Sequence, residues 1–209
     1  MKEFDVENWN RKAQYQFFKT YEDPFFNITA NLEVTQLYKY CKQNNLSFSL
    51  SCMYVALKCV NEITEFKLRF KNGKVYLFDS VNIGSTILND DLTFSFCDFE
   101  FQKTMKAFVA NGKKVLENHK KGIVFNAQED QLGIIHCSTI PWISFTGFKH
   151  ARNGNEGLQG IPKVVFGKMF KENEIQKIPF SVEVHHALMD GYHVGLLYEK
   201  TQKFINELV

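Results

Sequence analysis

The run Pro179-Phe180-Ser181-Val182-Glu183-Val184 alternates apolar and polar side chains and leads directly into His185-His186-Ala187-Leu188-Met189-Asp190-Gly191. An alternation of period two is the pattern of a half-buried strand, so this stretch predicts a strand that ends at the two histidines. Beyond the glycine, Val194, Leu197, Tyr198, Phe204, Ile205 and Leu208 recur on one helical face, which predicts a last helix over residues 191–208. The chain must therefore place a histidine pair, a carboxylate and a glycine at one strand-to-helix turn. Histidine is the side chain whose ordinary pKa lies nearest neutrality, so a histidine here can take a proton from a hydroxyl and return it to a leaving group.

The remaining elements interleave without strict alternation. Helices are predicted over residues 34–43 and 50–60, the second with a broad apolar face of Leu50, Met53, Tyr54, Leu57 and Val60 packed on a sheet. Residues 66–70 and 75–78 flank Asn72-Gly73, a dipeptide suited to the positive backbone angles of a tight hairpin. A strand over 92–98, a helix over 103–118 weakened by Gly112, and a strand over 132–138 follow, with polar stretches at 119–131 and 149–160 read as connections. Residues 163–169 and 179–185 read as paired strands around the charged turn Lys171-Glu172-Asn173-Glu174. This order predicts an α/β fold, a two-layer sandwich with a mixed β-sheet, rather than a doubly wound parallel sheet. No linker divides the 209 residues, so one domain over 1–209 is expected.

Composition narrows the function classes. A net charge of +2, with only short basic clusters at Lys113-Lys114 and His119-Lys120-Lys121, argues against a nucleic-acid partner. No apolar stretch is long enough to span a bilayer, and Lys2, Glu3 and Asp5 interrupt any signal-peptide core, so a cytoplasmic protein without a membrane partner is expected. The five cysteines, Cys41, Cys52, Cys59, Cys97 and Cys137, form no Cys-x-x-Cys pair and read as reduced, mostly buried hydrophobes. His185, His186 and His193 lack metal-site spacing, and no metal is expected. The 21 phenylalanines predict a dense aromatic core.

The His-His-x-x-x-Asp-Gly pattern resembles the signature of chloramphenicol acetyltransferases and of the catalytic domain of dihydrolipoyl acyltransferases. The first likeness extends along the chain, through the segment from Phe4 to Lys12 with Tyr15-Gln16-Phe17-Phe18 after it, Val60-Asn61 with Glu65-Phe66-Lys67-Leu68-Arg69, Pro141-Trp142-Ile143-Ser144-Phe145, and Pro162-Lys163-Val164-Val165-Phe166-Gly167-Lys168. This resemblance implies a homotrimer with active sites between subunits, acetyl-coenzyme A as co-substrate, and a small hydroxyl compound such as chloramphenicol as acceptor. It makes His186 the general base, assigns Asp190 to a buried salt bridge with Arg11, and makes Phe17 and Phe18, with Phe25 beside them, candidates for acceptor binding. Adjacent strand residues point to opposite faces, so His185 is read as a packing residue.

Three positions depart from the family's pattern. Its oxyanion serine is matched by Gly147, which has no side-chain donor. Were residues 141–148 extended, Ser144 and Thr146 would share the opposite face; a bulge would bring Thr146 round, and Gly147 could instead expose its N–H or admit a water. A family threonine is matched by Val165, and a family tyrosine lies near Phe18. These departures leave open a different acceptor, or a catalytically feeble trimeric binding protein, beside the leading reading.

Overall fold

A computed structural model describes residues 1–120, 131–152 and 159–209. A short ribbon pairs β1 (Lys2–Glu3) with β4 (Lys74–Leu77) and β4 with β3 (Leu68–Lys71), all antiparallel. The Asn72-Gly73 turn between β3 and β4 has φ of 50° and 73°, as the dipeptide predicts.

Among the described residues the larger sheet has seven strands. Its order is β2 (Phe25–Glu33), β10 (Ile175–His185), β8 (Lys163–Phe166), β7 (Ile134–Thr139), β5 (Asn82–Leu88) and β6 (Phe94–Phe99), with β9 (Phe170–Glu172) also paired to β10. The β5–β7 and β7–β8 pairs are parallel and the others antiparallel, so the sheet is mixed, as expected. The charged turn does not join β8 directly to β10. Residues 170–172 form their own strand, and Asn173 and Glu174, at φ of 48° and 65°, close a tight hairpin onto β10.

Helices α2 (Thr35–Gln43), α3 (Phe48–Asn61), α4 (Met105–His119) and α5 (Gly191–Asn206) fall where the periodicity places them. Ser47 caps α3 through Leu50 N–H and Thr104 caps α4 through Ala107 N–H, each meeting an amide that the first turn leaves unbonded. Gly112 costs α4 some helix propensity but has a packing role. A Cβ there would come within 3.0 Å of Leu50 Cδ2, so its absence lets α4 lie close against α3. One cluster of buried side chains joins α3, the sheet and α5, and all five cysteines are free and buried within the fold. Burial pushes the Cys59 thiol up to about 11 and the Cys137 thiol up to about 12.

Strand β10 departs from the half-buried expectation. Phe180, Val182 and Val184 face the helices, yet Ser181, Glu183 and His185 on the other face are also buried, at 0%, 0% and 2% exposure. Their polar groups meet neighbours inside the protein rather than water. Asn27 bonds Ser181, Arg152 and His150 reach Glu183, and Phe25 and Phe70 pack on His185. Alternation reports polarity, and here polarity no longer follows exposure.

Candidate active site

The site forms where β10 ends. Helix α1 (Lys12–Phe18) reaches it through Phe18, and β2 runs antiparallel to β10 with Val184 opposite Phe26 and His185 opposite Phe25. The backbone N–H of His186 donates to Pro24 O at 2.8 Å, which fixes the turn against the start of β2. The two adjacent histidines then separate as strand geometry requires.

His185 points into the fold. Its Nδ1 accepts the Ala187 N–H at 3.1 Å, so in the neutral ring the proton sits on Nε2, and the imidazole packs on Phe25 and Phe70. The ring of His186 instead lies between Phe18, face to face at 3.8 Å with planes 5° apart, and Phe26, tilted at 4.6 Å. Its side chain is 33% exposed, and Nδ1 is the buried nitrogen, 3.3 Å from Asp190 Oδ1 but without the alignment of a hydrogen bond. Nε2 is the nitrogen left facing solvent.

Arg11 holds the turn. Its Nε and Nη2 donate to Asp190 Oδ2 and Oδ1 at 2.8 and 2.6 Å, while Nη2 and Nη1 also reach His186 O and Ala187 O at 3.2 and 3.3 Å. The planar guanidinium thus grips a carboxylate and two carbonyls of one turn, which a lysine could not do. The Arg11 guanidinium also holds the Asp190 carboxyl below its usual range, with burial acting against it and the His186 and His193 rings adding to it. The pair is only partly buried, because a third of the Asp190 side chain is exposed.

The segment expected to carry the oxyanion position lies elsewhere in the chain. Residues 141–148 leave the end of β7 as irregular backbone, tied to Lys168 through Ile143 O and the Ser144 hydroxyl. The alternation assumed for an extended segment therefore does not apply, and the Ser144 hydroxyl is already committed to Lys168 O at 2.8 Å. Thr146 and Gly147 are exposed, and nothing lies within 4 Å of a Cβ built on Gly147. Every hydrogen bond, ion pair and ring contact of His186 comes from Arg11, Phe18, Pro24, Phe26 or Asp190, and none from this segment. Val165 is fully buried in β8 beside Ser181 and Ser138, away from solvent.

Of the predicted acceptor contacts, Phe18 touches His186, and Phe17, exposed, extends the aromatic surface with Tyr21. Phe25 belongs to the other layer, edge-on to His185 and beneath the Arg152 guanidinium. Three features escaped the sequence reading. Phe26 is one, since only the pairing of β2 with β10 brings it to His186. The second is the cluster of Asp23, His150, Arg152 and Glu183, assembled from three distant segments. The third is the contact of His193 with Glu65 and with the Asp190 backbone. Among the described residues no group of three or more His, Cys, Asp or Glu side chains is placed to hold a metal, and no helix is long and apolar enough to cross a membrane.

The family profile described as chloramphenicol acetyltransferase matches residues 1–208. The chain belongs to the chloramphenicol acetyltransferase family. It is accordingly an acyltransferase, and its relatives span nearly its full length. A chloramphenicol acetyltransferase of Clostridium butyricum is 32% identical, over 98% of this chain and 91% of the relative, and one of Proteus mirabilis is 28% identical, over 97% and 94%. A solved chloramphenicol acetyltransferase superposes with a TM-score of 0.88 at 25% identity, covering 98% of this chain and 99% of the other. The cubic core of a pyruvate dehydrogenase multienzyme complex shares the fold at a TM-score of 0.69 and 12% identity.

Proposed function

We propose that this chloramphenicol acetyltransferase family member transfers the acetyl group of acetyl-coenzyme A to a hydroxyl of chloramphenicol or a related small compound, with His186 as general base. The observation that carries this reading is the His186 ring itself, braced on both faces by Phe18 and Phe26, with Nδ1 turned inward and Nε2 outward. Nε2 takes the acceptor's hydroxyl proton as that oxygen bonds to the thioester carbonyl carbon. The carbonyl π pair moves to oxygen, then returns and expels the thiolate, which takes the proton from Nε2. The base ends as it began.

A homotrimer completes the site. Gly147 and Thr146 lie open to solvent and apart from the His186 of their own chain, so they fit a cleft whose other wall is a neighbouring subunit. The open space at Gly147 also favours a second reading, an acceptor other than chloramphenicol or a feeble trimeric binder, because no side chain there donates to the oxyanion. In the leading reading the protein works as one cytoplasmic domain, and acetylation inactivates the antibiotic by masking its hydroxyl.

The test is thiol release from acetyl-coenzyme A in the presence of chloramphenicol and a panel of other small alcohols. Turnover with chloramphenicol supports the leading reading. Turnover only with another alcohol selects the altered acceptor, and binding without turnover overturns the enzymatic reading.

A further inference from the structure

We propose that His193 is a positioning residue for His186: its neutral imidazole caps the 186–190 turn, and its protonation loosens that turn and slows transfer. This inference rests on the acyl-transfer reading of His186.

Helix α5 begins at Gly191, so His193 is its third residue. In a capping box a Glu or Gln at this position accepts the backbone N–H of the cap residue. Here an imidazole does so. The Asp190 N–H donates to His193 Nδ1 at 3.0 Å, and the His193 N–H donates to Asp190 O at 3.0 Å. An accepting Nδ1 carries no proton, so the neutral ring bears it on Nε2, which lies 3.6 Å from Glu65 Oε1. His193 is buried, at 8% exposure, and Tyr192 stands edge-on to it at 5.4 Å. The charged groups around it are Glu65 from the turn Glu65–Lys67, and Asp190 with Arg11 and His186 beyond.

A second proton on His193 must go to Nδ1. Two donors would then face each other across the bond to Asp190, and the bond would be lost. The imidazolium would turn to the Asp190 carboxylate, in competition with Arg11 and with His186. Because the Asp190 carboxylate lies 3.3 Å from His186 Nδ1, the strain falls on the orientation of the base.

Two variants separate this role from simple packing. His193→Gln keeps an acceptor that does not titrate, and His193→Leu removes it. With chloramphenicol and acetyl-coenzyme A, His193→Leu should lower kcat about tenfold with acceptor KM changed by less than about twofold, and His193→Gln should restore most of kcat. As pH falls, kcat of the wild type should drop up to about tenfold further than that of His193→Gln, because the amide keeps an acceptor that takes no proton. A His193→Leu protein with wild-type kcat, or acid-side profiles that coincide for the wild type and His193→Gln, overturns the proposal. Amide exchange at Asp190 gives a readout without turnover. Exchange should be at least about tenfold faster in His193→Leu than in wild type or His193→Gln, and equal exchange overturns the capping role. Should the wild type release no thiol, the acyl-transfer reading fails while Asp190 exchange still decides the cap.

Discussion

Phe18 and His186 lie face to face, with ring centroids 3.8 Å apart and planes 5° from parallel. Together with Phe26 on the other side, this contact holds the imidazole largely by packing, because the buried Nδ1 has charge proximity to Asp190 but no aligned hydrogen bond. The imidazole is thus oriented by α1 and β2 as much as by its own turn.

Phe18→Ala removes one face of that support. Aromatic pairs contribute about 0.5–1.5 kcal/mol beyond their buried area, so kcat should fall roughly 2- to 10-fold through misorientation. Steady-state thiol release checks this, and an unchanged kcat with only a raised acceptor KM would make Phe18 a binding contact alone.

Arg11→Ala leaves the Asp190 carboxylate and the carbonyls of His186 and Ala187 without their shared donor. The cost should be about 2 kcal/mol, below that of a fully buried pair because Asp190 is partly solvated. The Asp190 carboxyl is held below its ordinary value of 3.8, chiefly by Arg11, so this stabilisation is complete above that value and lost as pH falls through the folded pKa. Urea unfolding of both proteins should show the full difference down to about pH 4 and a decline as pH falls further through the lowered Asp190 value, leaving the part that comes from the two carbonyls.

Gly147→Ser meets no steric barrier, since nothing lies within 4 Å of the added Cβ. A single oxyanion donor is worth roughly 10²–10³ in rate, so the variant should gain at least about tenfold in kcat if its hydroxyl reaches the tetrahedral oxygen. No gain would mean that the oxyanion is already served by another group.

Arg152→Ala strips Glu183, buried inside the sheet, of its guanidinium partner and leaves His150 beside it. Burial raises the Glu183 carboxyl, but His150 and Arg152 outweigh that effect and hold it below its usual value. Loss of the guanidinium should destabilise the fold by about 3 kcal/mol at neutral pH, read as a lower urea midpoint. An unchanged midpoint would show that Glu183 folds as a neutral acid.

The elements legible in the sequence are those whose burial is decided locally. Helices α2 to α5 each show an apolar stripe or a capping residue, and the β3–β4 hairpin carries Asn72-Gly73 at its turn. Strands β2 and β5 have weaker patterns, because Asn27 and Ser85 spend their polarity on bonds inside the protein rather than on water. His186, Asp190 and Arg11 were legible through the motif that links the two ends of the chain. Phe26 and the ion cluster around Glu183 were not, since what makes them neighbours is strand pairing across more than a hundred residues. The irregular path of residues 141–148 was hidden too, because its shape is set by the contact with Lys168.

In the proposed reaction, transfer depends on His186 carrying the proton. The most direct measurement is thiol release by His186→Ala beside the wild type, with both proteins confirmed as folded. A loss of about 10²- to 10⁴-fold in kcat is the predicted result. Undiminished acetyl transfer by the variant would contradict the account.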